Sequence, residues 1–171
     1  EDGKGSQTQH TDFFQLQMSH YKIYNNVFDG SADQGIFYSG FGAPATMVGV
    51  QVYNNLWITH GTNRTVYDCI GFNVFAQPTM VLEDLFICNN TFVDMTNIGT
   101  MISVQNAAGY TNCHVKNNLF VGCSGSTVQF NVNAAVSSSN NTSKTSAAIF
   151  VRYTQYDVAG NDLHLAASDT V

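Results

Sequence analysis

Apolar and polar positions alternate in a run that the chain repeats. "YKIYNNVFDG" (21–30), "VQVYNNLWIT" (50–59), "LFICNNTFVD" (85–94) and "CHVKNNLFVG" (113–122) are near copies, and a degenerate fifth is centred on Asn140. Aligned on the first Asn of each pair, the position four before it carries Tyr21, Val50, Leu85, Cys113 and Val136. The position two before it carries Ile23, Val52, Ile87, Val115 and Ser138. Lys22, Gln51, Phe86, His114 and Ser137 stand between them. This is a period of two, so each unit opens on a short strand with one face inward. Three positions after the first Asn come Phe28, Trp57, Phe92, Phe120 and then Ser143, a column that reads as an aromatic core stack.

A second β-rich run follows in each unit: "GIFYSG", "DCIGFNVF", "TMISVQN", "TVQFNVN" and "AIFVRY". Helical i, i+3, i+4 patterning is absent, and the reading is almost all-β. The Asn pairs begin at 25, 54, 89, 117 and 140, with intervals of 29, 35, 28 and 23. Such a variable period fits stacked coils joined by loops of unequal length. The bend between two strands leaves backbone groups without sheet partners. An Asn amide offers two donors and an acceptor, and Asn tolerates left-handed backbone angles. Asn25, Asn54, Asn89, Asn117 and Asn140 are therefore expected to form a hydrogen-bonded ladder along the stack.

These repeats resemble the Asn-containing coils of right-handed parallel β-helix proteins, the architecture of pectate-lyase-like enzymes and phage tailspikes. "HTDFFQLQ" is similar to the His-x-Asp segment that begins a coil in such proteins, and "GNDLHLAASDTV" to the tail after their last coil. The resemblance implies an all-β, right-handed parallel β-helix, a single-stranded solenoid of five to six coils. Residues 1–171 would form one domain: a leading segment 1–12, stacked coils 13–156 and a tail 157–171. A rival reading comes from "LEDLFICNNTF" (82–92), which fits the leucine-rich-repeat signature. Against it stand the scarcity of leucine, the uneven period and a β-patterned second half of each unit. A stack this short needs its end coils covered. The expectation is a fragment of a larger protein, or a protomer capped by neighbouring domains or by its own copies.

Composition narrows the partners. Hydrophobic residues make up 44% and charged residues only 11% of the 171, so the surface is mostly neutral polar, as is common outside the cell. The net charge of −6, with six scattered Lys and Arg, disfavours nucleic acid and anionic membrane. No apolar run approaches the ~18–20 residues of a membrane-spanning helix. Cys69, Cys88, Cys113 and Cys123 fit no metal-binding spacing and read as buried thiols or one disulfide. No metal site is expected.

Candidate chemistry is sparse. His10 and Asp12 would share one face of a strand, either as an imidazole–carboxylate pair or as a polar start to the first coil. His20 and His114 would face outward on one sheet, with Lys22 in the column of His114. The acidic candidates are Asp29, Asp33, Asp68, Glu83 and Asp84. The longest coil carries "THGTNRTVYDC" (59–69), which gathers His60, Arg64, Tyr67 and Asp68; inserted loops on solenoids commonly carry function. His60, Arg64 and Asp68 are the catalytic candidates, and His10, Asp12, Tyr67, His114 and Tyr153 the substrate-binding ones.

The Asp-Asp and Arg-x-Lys pattern of polygalacturonases and the Arg motif of pectate lyases are both missing. The expected function is an extracellular or cell-surface module that engages a polysaccharide or glycan, lyase-like or hydrolase-like if it is an enzyme. No cofactor is expected, and calcium would enter only with lyase chemistry. The alternative is a structural, tailspike-like or surface-filament subunit, on a virion for example, without catalysis.

Overall fold

The computed structural model describes residues 12–29, 34–38, 45–58, 66–74, 79–95, 98–123 and 130–145, with the backbone alone at 66, 67, 98, 150–152 and 162–165. Every regular element in it is a strand; no helix occurs among the described residues. The chain opens with β1 (Asp12–Gln15), β2 (Lys22–Tyr24) and β3 (Val27–Asp29). It continues with β4 (Gln34–Tyr38), β5 (Thr46–Val48), β6 (Gln51–Tyr53) and β7 (Leu56–Ile58). The next unit is β8 (Val66–Asn73), β9 (Val81–Glu83), β10 (Phe86–Cys88) and β11 (Thr91–Val93). Then come β12 (Ile98–Gln105), β13 (Gly109–Thr111), β14 (His114–Lys116) and β15 (Leu119–Val121). The last unit holds β16 (Phe130–Val132), β17 (Ser137–Ser139) and β18 (Thr142–Lys144), and β19 (Phe150–Arg152) and β20 (Asp162–Leu165) follow.

Each strand from β1 to β18 pairs in parallel with its counterpart one unit away. Three sheets of five strands result: β1-β4-β8-β12-β16, β2-β6-β10-β14-β17 and β3-β7-β11-β15-β18. A shorter sheet, β5-β9-β13, lies between the first and second in chain order. These stacked parallel sheets fit a parallel β-solenoid. The pairing keeps the register read from the repeats: Ile23, Val52, Ile87 and Val115 are successive partners, as are Phe28, Trp57, Phe92 and Phe120.

Both columns are buried. The four aromatic rings stack at 4.0, 5.9 and 5.1 Å with interplanar angles of 21° or less, a favourable offset arrangement. The indole is the widest ring in the column, and Gly35 on the facing strand makes room for it. A Cβ at Gly35 would stand 2.6 Å from the Trp57 ring and 2.2 Å from the Cys69 carbonyl oxygen.

The Asn pairs divide the work of the bend between their two members. Asn25, Asn54, Asn89, Asn117 and Asn140 all have φ of 55–57° and are exposed. They turn the chain, using the left-handed angles that Asn adopts at low cost. The hydrogen-bonded file runs through the next residue, which corrects the expectation that the first Asn of each pair forms it. Asn26 Nδ2 donates to Asn55 Oδ1 (3.0 Å), Asn55 Nδ2 to Asn90 Oδ1 (3.0 Å), Asn90 Nδ2 to Asn118 Oδ1 (3.0 Å) and Asn118 Nδ2 to Asn141 Oδ1 (2.9 Å).

Each Oδ1 also accepts the backbone N–H of the preceding Asn in the file. Each Nδ2 from Asn55 onward also donates to a strand carbonyl of the unit before: Ile23, Val52, Ile87 and Val115. The physical reason for the shift is positional. The residue that turns the chain points to solvent, and the residue after it points along the stack. There its amide replaces the sheet bonds that the bend interrupts.

A second left-handed column, His20, Gly49, Asp84 and Asn112, precedes the strands of the second sheet. His20 therefore sits in a turn, at φ 66°, and not on the outward sheet face expected for it. "AIFVRY" also departs from expectation: β19 pairs antiparallel with β20 and does not extend the first sheet. Ser138 and Ser143 occupy the inward columns of the last unit, which leaves little apolar surface for another strand to cover.

The file predicts a sharp contrast between neighbouring residues. Asn90→Ala strands the Asn55 N–H and the Val52 carbonyl and takes one of two acceptors from Asn55 Nδ2, at ~1–3 kcal/mol for each buried group left unpaired, so a loss of about 2 kcal/mol or more is expected in urea unfolding. Asn89→Gly, which keeps the φ, is expected to stay within about 0.5 kcal/mol of the parent. Equal midpoints for the two variants would contradict this division of roles.

Candidate functional site

The first sheet changes face in mid-strand. Cys69 and Ile70 are consecutive, yet both belong to the hydrophobic core, and Met101 and Ile102 repeat this one strand over. Two inward residues in succession put Asp68 and Gly71 on the same outer side although they are three apart. A Cβ at Gly71 would lie 2.9 Å from Asp68 Oδ2, so the glycine leaves space for the carboxyl.

The break gathers outward polar groups. Asn73 Nδ2 donates to Asp68 Oδ2 at 2.7 Å, and Ser103 Oγ donates to Asn73 Oδ1 at 2.8 Å. The Thr100 hydroxyl, on the strand paired with Asp68, also bonds the carboxyl. Asn73 and Ser103 are only 6% and 3% exposed. On the other side of Asp68 lies Gln34, whose Oε1 is buried without a hydrogen-bond partner. Burial pushes the Asp68 carboxyl up to about 6, against the lowering effect of the Thr100 and Asn73 hydrogen bonds. A carboxyl raised to about 6 keeps its proton into the mildly acidic range, where it can donate it or bond a neutral ligand.

Asp68 thus lies on strand β8, not in the inserted loop where sequence reasoning put it. Tyr67 is on the same strand, with only its backbone described. Asp12 joins Asp68 in one register row, Asp12–Gln34–Asp68–Thr100, across four strands. His10, His60, Arg64 and Tyr153 lie outside the described residues.

His114 is on another sheet, in the row Lys22–Gln51–Phe86–His114. Its ring stacks on Phe86 at 5.2 Å, and its Nε2 bonds Asn112 Oδ1 at 2.8 Å, while Asn112 donates to Asp84. It therefore does not converge with Asp68. The neighbouring row on that sheet stacks Tyr24 on Tyr53 at 4.9 Å and 1°. Gln34, Asn73, Thr100 and Ser103 escaped the sequence reading. For Asn73, Thr100 and Ser103 the signal was the polar residues inside the apolar runs "DCIGFN" and "TMISVQ", which strict alternation assigns to the wrong face.

None of the four cysteines forms a disulfide. Burial raises Cys69 well above the usual thiol range and Cys123 to about 11, and it also raises Cys88 and Cys113. None of them is activated as a nucleophile. Among the described residues no cluster of His, Cys, Asp and Glu could hold a metal ion, and no helix is long and apolar enough to cross a membrane. No family model, curated protein or solved structure matches the chain.

The Asp68 environment has a signed pH consequence. Its folded pKa lies above the unfolded carboxyl value of 3.8. The protonated carboxyl therefore favours the fold below pH ~4, and this stability is lost as pH rises through about 6. Urea midpoints are expected to fall over that window in the parent and to fall less in Asp68→Asn; parallel profiles would contradict it. Gly71→Ala is expected to displace the carboxyl and to move its titration midpoint, read by NMR of the side-chain carbon.

Proposed function

We propose that the chain is an extracellular right-handed parallel β-helix module of five to six coils, carrying an Asn ladder, whose first sheet engages carbohydrate. The observation that carries this reading is the Asp68 cluster: a half-buried carboxyl raised to about 6, bonded by Asn73 and Thr100 and backed by the buried Ser103. Neutral sugars are bound through hydroxyl groups, and a row of carboxyl, amide and hydroxyl side chains supplies matching donors and acceptors.

The row also supports a hydrolase-like role over a lyase-like one. Asp12 and Asp68 stand two strands apart, roughly 10 Å between backbones at ~4.8 Å per strand. Inverting glycosidases hold their two carboxyl groups about 6.5–9.5 Å apart, with a water between the sugar and the base. In this assignment the Asp68 proton goes to the departing glycosidic oxygen. Asp12 takes a proton from the water that attacks the anomeric carbon. Lyase chemistry wants a Lys or Arg as base beside a uronate, and the described strands of this sheet carry neither.

The test is to incubate the purified chain with neutral and uronate polysaccharides, with and without calcium, and to follow reducing ends, unsaturated products and retention on the immobilised polymers. Reducing ends from a neutral polymer are expected near pH 5–6. Asp68→Asn should lower the rate by about 10²–10⁴-fold, as for loss of a general acid, while retention persists. Neither cleavage nor retention on any polymer would reject this reading in favour of the structural one, a tailspike-like or surface-filament subunit.

A further inference from the structure

We infer that Gln34 is a positioning residue for Asp68: its side-chain oxygen accepts the proton that the carboxyl carries. What this means for catalysis rests on the hydrolase-like reading, but the hydrogen bond itself is a property of the folded chain and is tested without a substrate.

Two neighbours in one row each lack what the other supplies. Gln34 Oε1 is buried and has no hydrogen-bond partner. An unpaired buried acceptor is costly and rare in a folded chain. Asp68 is the in-register partner of Gln34 on the adjacent strand. Row partners share a face, ~4.8 Å apart at the backbone, near enough for their side chains to bond.

The bonds on the other side of the carboxyl run in one direction. Ser103 Oγ donates to Asn73 Oδ1 at 2.8 Å, which fixes how the Asn73 amide faces, and Asn73 Nδ2 donates to Asp68 Oδ2 at 2.7 Å. Asn73 and Ser103 are both buried, so packing holds this orientation. Oδ2 is thus occupied as an acceptor, and the proton belongs on Oδ1. A protonated carboxyl is a donor and needs an acceptor. Asn73 offers only its N–H, because its oxygen is taken by Ser103. Thr100 bonds the carboxyl in the sense that favours the ionised form. Gln34 Oε1 is the acceptor left over. Ser103, Asn73, Asp68 and Gln34 then each donate to the next, and the orphaned oxygen is matched.

Few titratable groups lie around this carboxyl among the described residues. Asp12 stands beyond Gln34 in the same row, and its negative charge also favours a protonated Asp68. Cys69, next along β8, points into the core and is kept neutral by burial. Tyr67 is described by its backbone alone. Of the two flanking strands, β12 has no titratable residue and β4 has only Tyr38, which is in the core. In the hydrolase-like reading Gln34 keeps Asp68 protonated in the free protein. The departing glycosidic oxygen replaces Oε1 as the acceptor when the proton moves.

The experiment is a carbon-13 NMR titration of the Asp68 carboxyl in the full chain, in the parent, Gln34→Met and Thr100→Val. Met fills the space of Gln with only a weak acceptor. Gln34→Met is expected to lower the Asp68 midpoint by about 0.5–1 pH unit, the worth of one hydrogen bond. Thr100→Val removes a donor from the carboxylate and is expected to raise the midpoint. In the parent, the Gln34 side-chain carbonyl carbon is expected to titrate at the Asp68 midpoint and to lose that step in Asp68→Asn, a readout that needs no variant at position 34 to fold.

A midpoint that stays or rises in Gln34→Met overturns the inference. So does a Gln34 carbonyl that does not follow Asp68, and so does a fall in Thr100→Val, which would give the proton to the threonine. Where reducing ends are released, the basic limb of kcat/KM against pH is expected to move down in Gln34→Met with the midpoint. Absence of cleavage leaves the titrations standing, and a titration against Gln34 leaves the polysaccharide assay standing, so the two readings fail separately.

Discussion

The constraint on which this structure rests is the backbone at the bend between the second and third sheets. Between each pair of three-residue strands, such as Gln51–Tyr53 and Leu56–Ile58, the chain turns within two residues. A turn that tight takes N–H and C=O groups out of the sheet while they are still inside the protein, and groups so placed must find partners. The buried amides of Asn55, Asn90 and Asn118 provide them, and in doing so they bind one unit to the next. Neutral amides suit the position better than carboxylates would, because a single side chain must donate and accept at once.

This module of strand, two Asn and strand holds its length in all five units, and the variable period is accommodated elsewhere. The third-to-first-sheet connections differ in length, yet the pairings of Phe92 with Trp57 and Phe120 stay in register. The aromatic column follows from the same geometry. A residue two after the buried Asn points inward in every unit, and a ring there meets the ring above and below it.

Much of the architecture was legible because it is periodic. The inward columns, the aromatic stack and the all-β character follow from alternation and the repeat, and the parallel pairing from the resemblance that the repeats carry. The Asn columns were found but shifted by one residue, since a pair of identical amides carries no mark of which one turns the chain and which one points along the stack. The site was harder to read. The change of face between Cys69 and Ile70 leaves no trace in a hydropathy pattern, because both residues are apolar and the run looks like an ordinary buried strand. Without that break Asp68, Asn73 and Ser103 cannot be seen as neighbours. Asp12 was recognised as a candidate, but its placement in the row of Asp68 depends on the spacing between β1 and β4, which the repeats do not encode.

The candidate site and the ends of the described stack share an origin in departures from the repeat. Where a column keeps its residue type, the stack is satisfied internally and presents little chemistry. At Gly71 the column loses a side chain, and a carboxyl moves into the space, loses water and rises to about 6. At Ser138 and Ser143 the columns lose bulk. At Asn26 and Asn141 the amide file ends with an acceptor on one side and a donor on the other. A stack built of like units has unlike ends whenever its bonds are directional, as amide bonds are. The Asn file is therefore polar, with every amide bond running in one sense from Asn26 to Asn141.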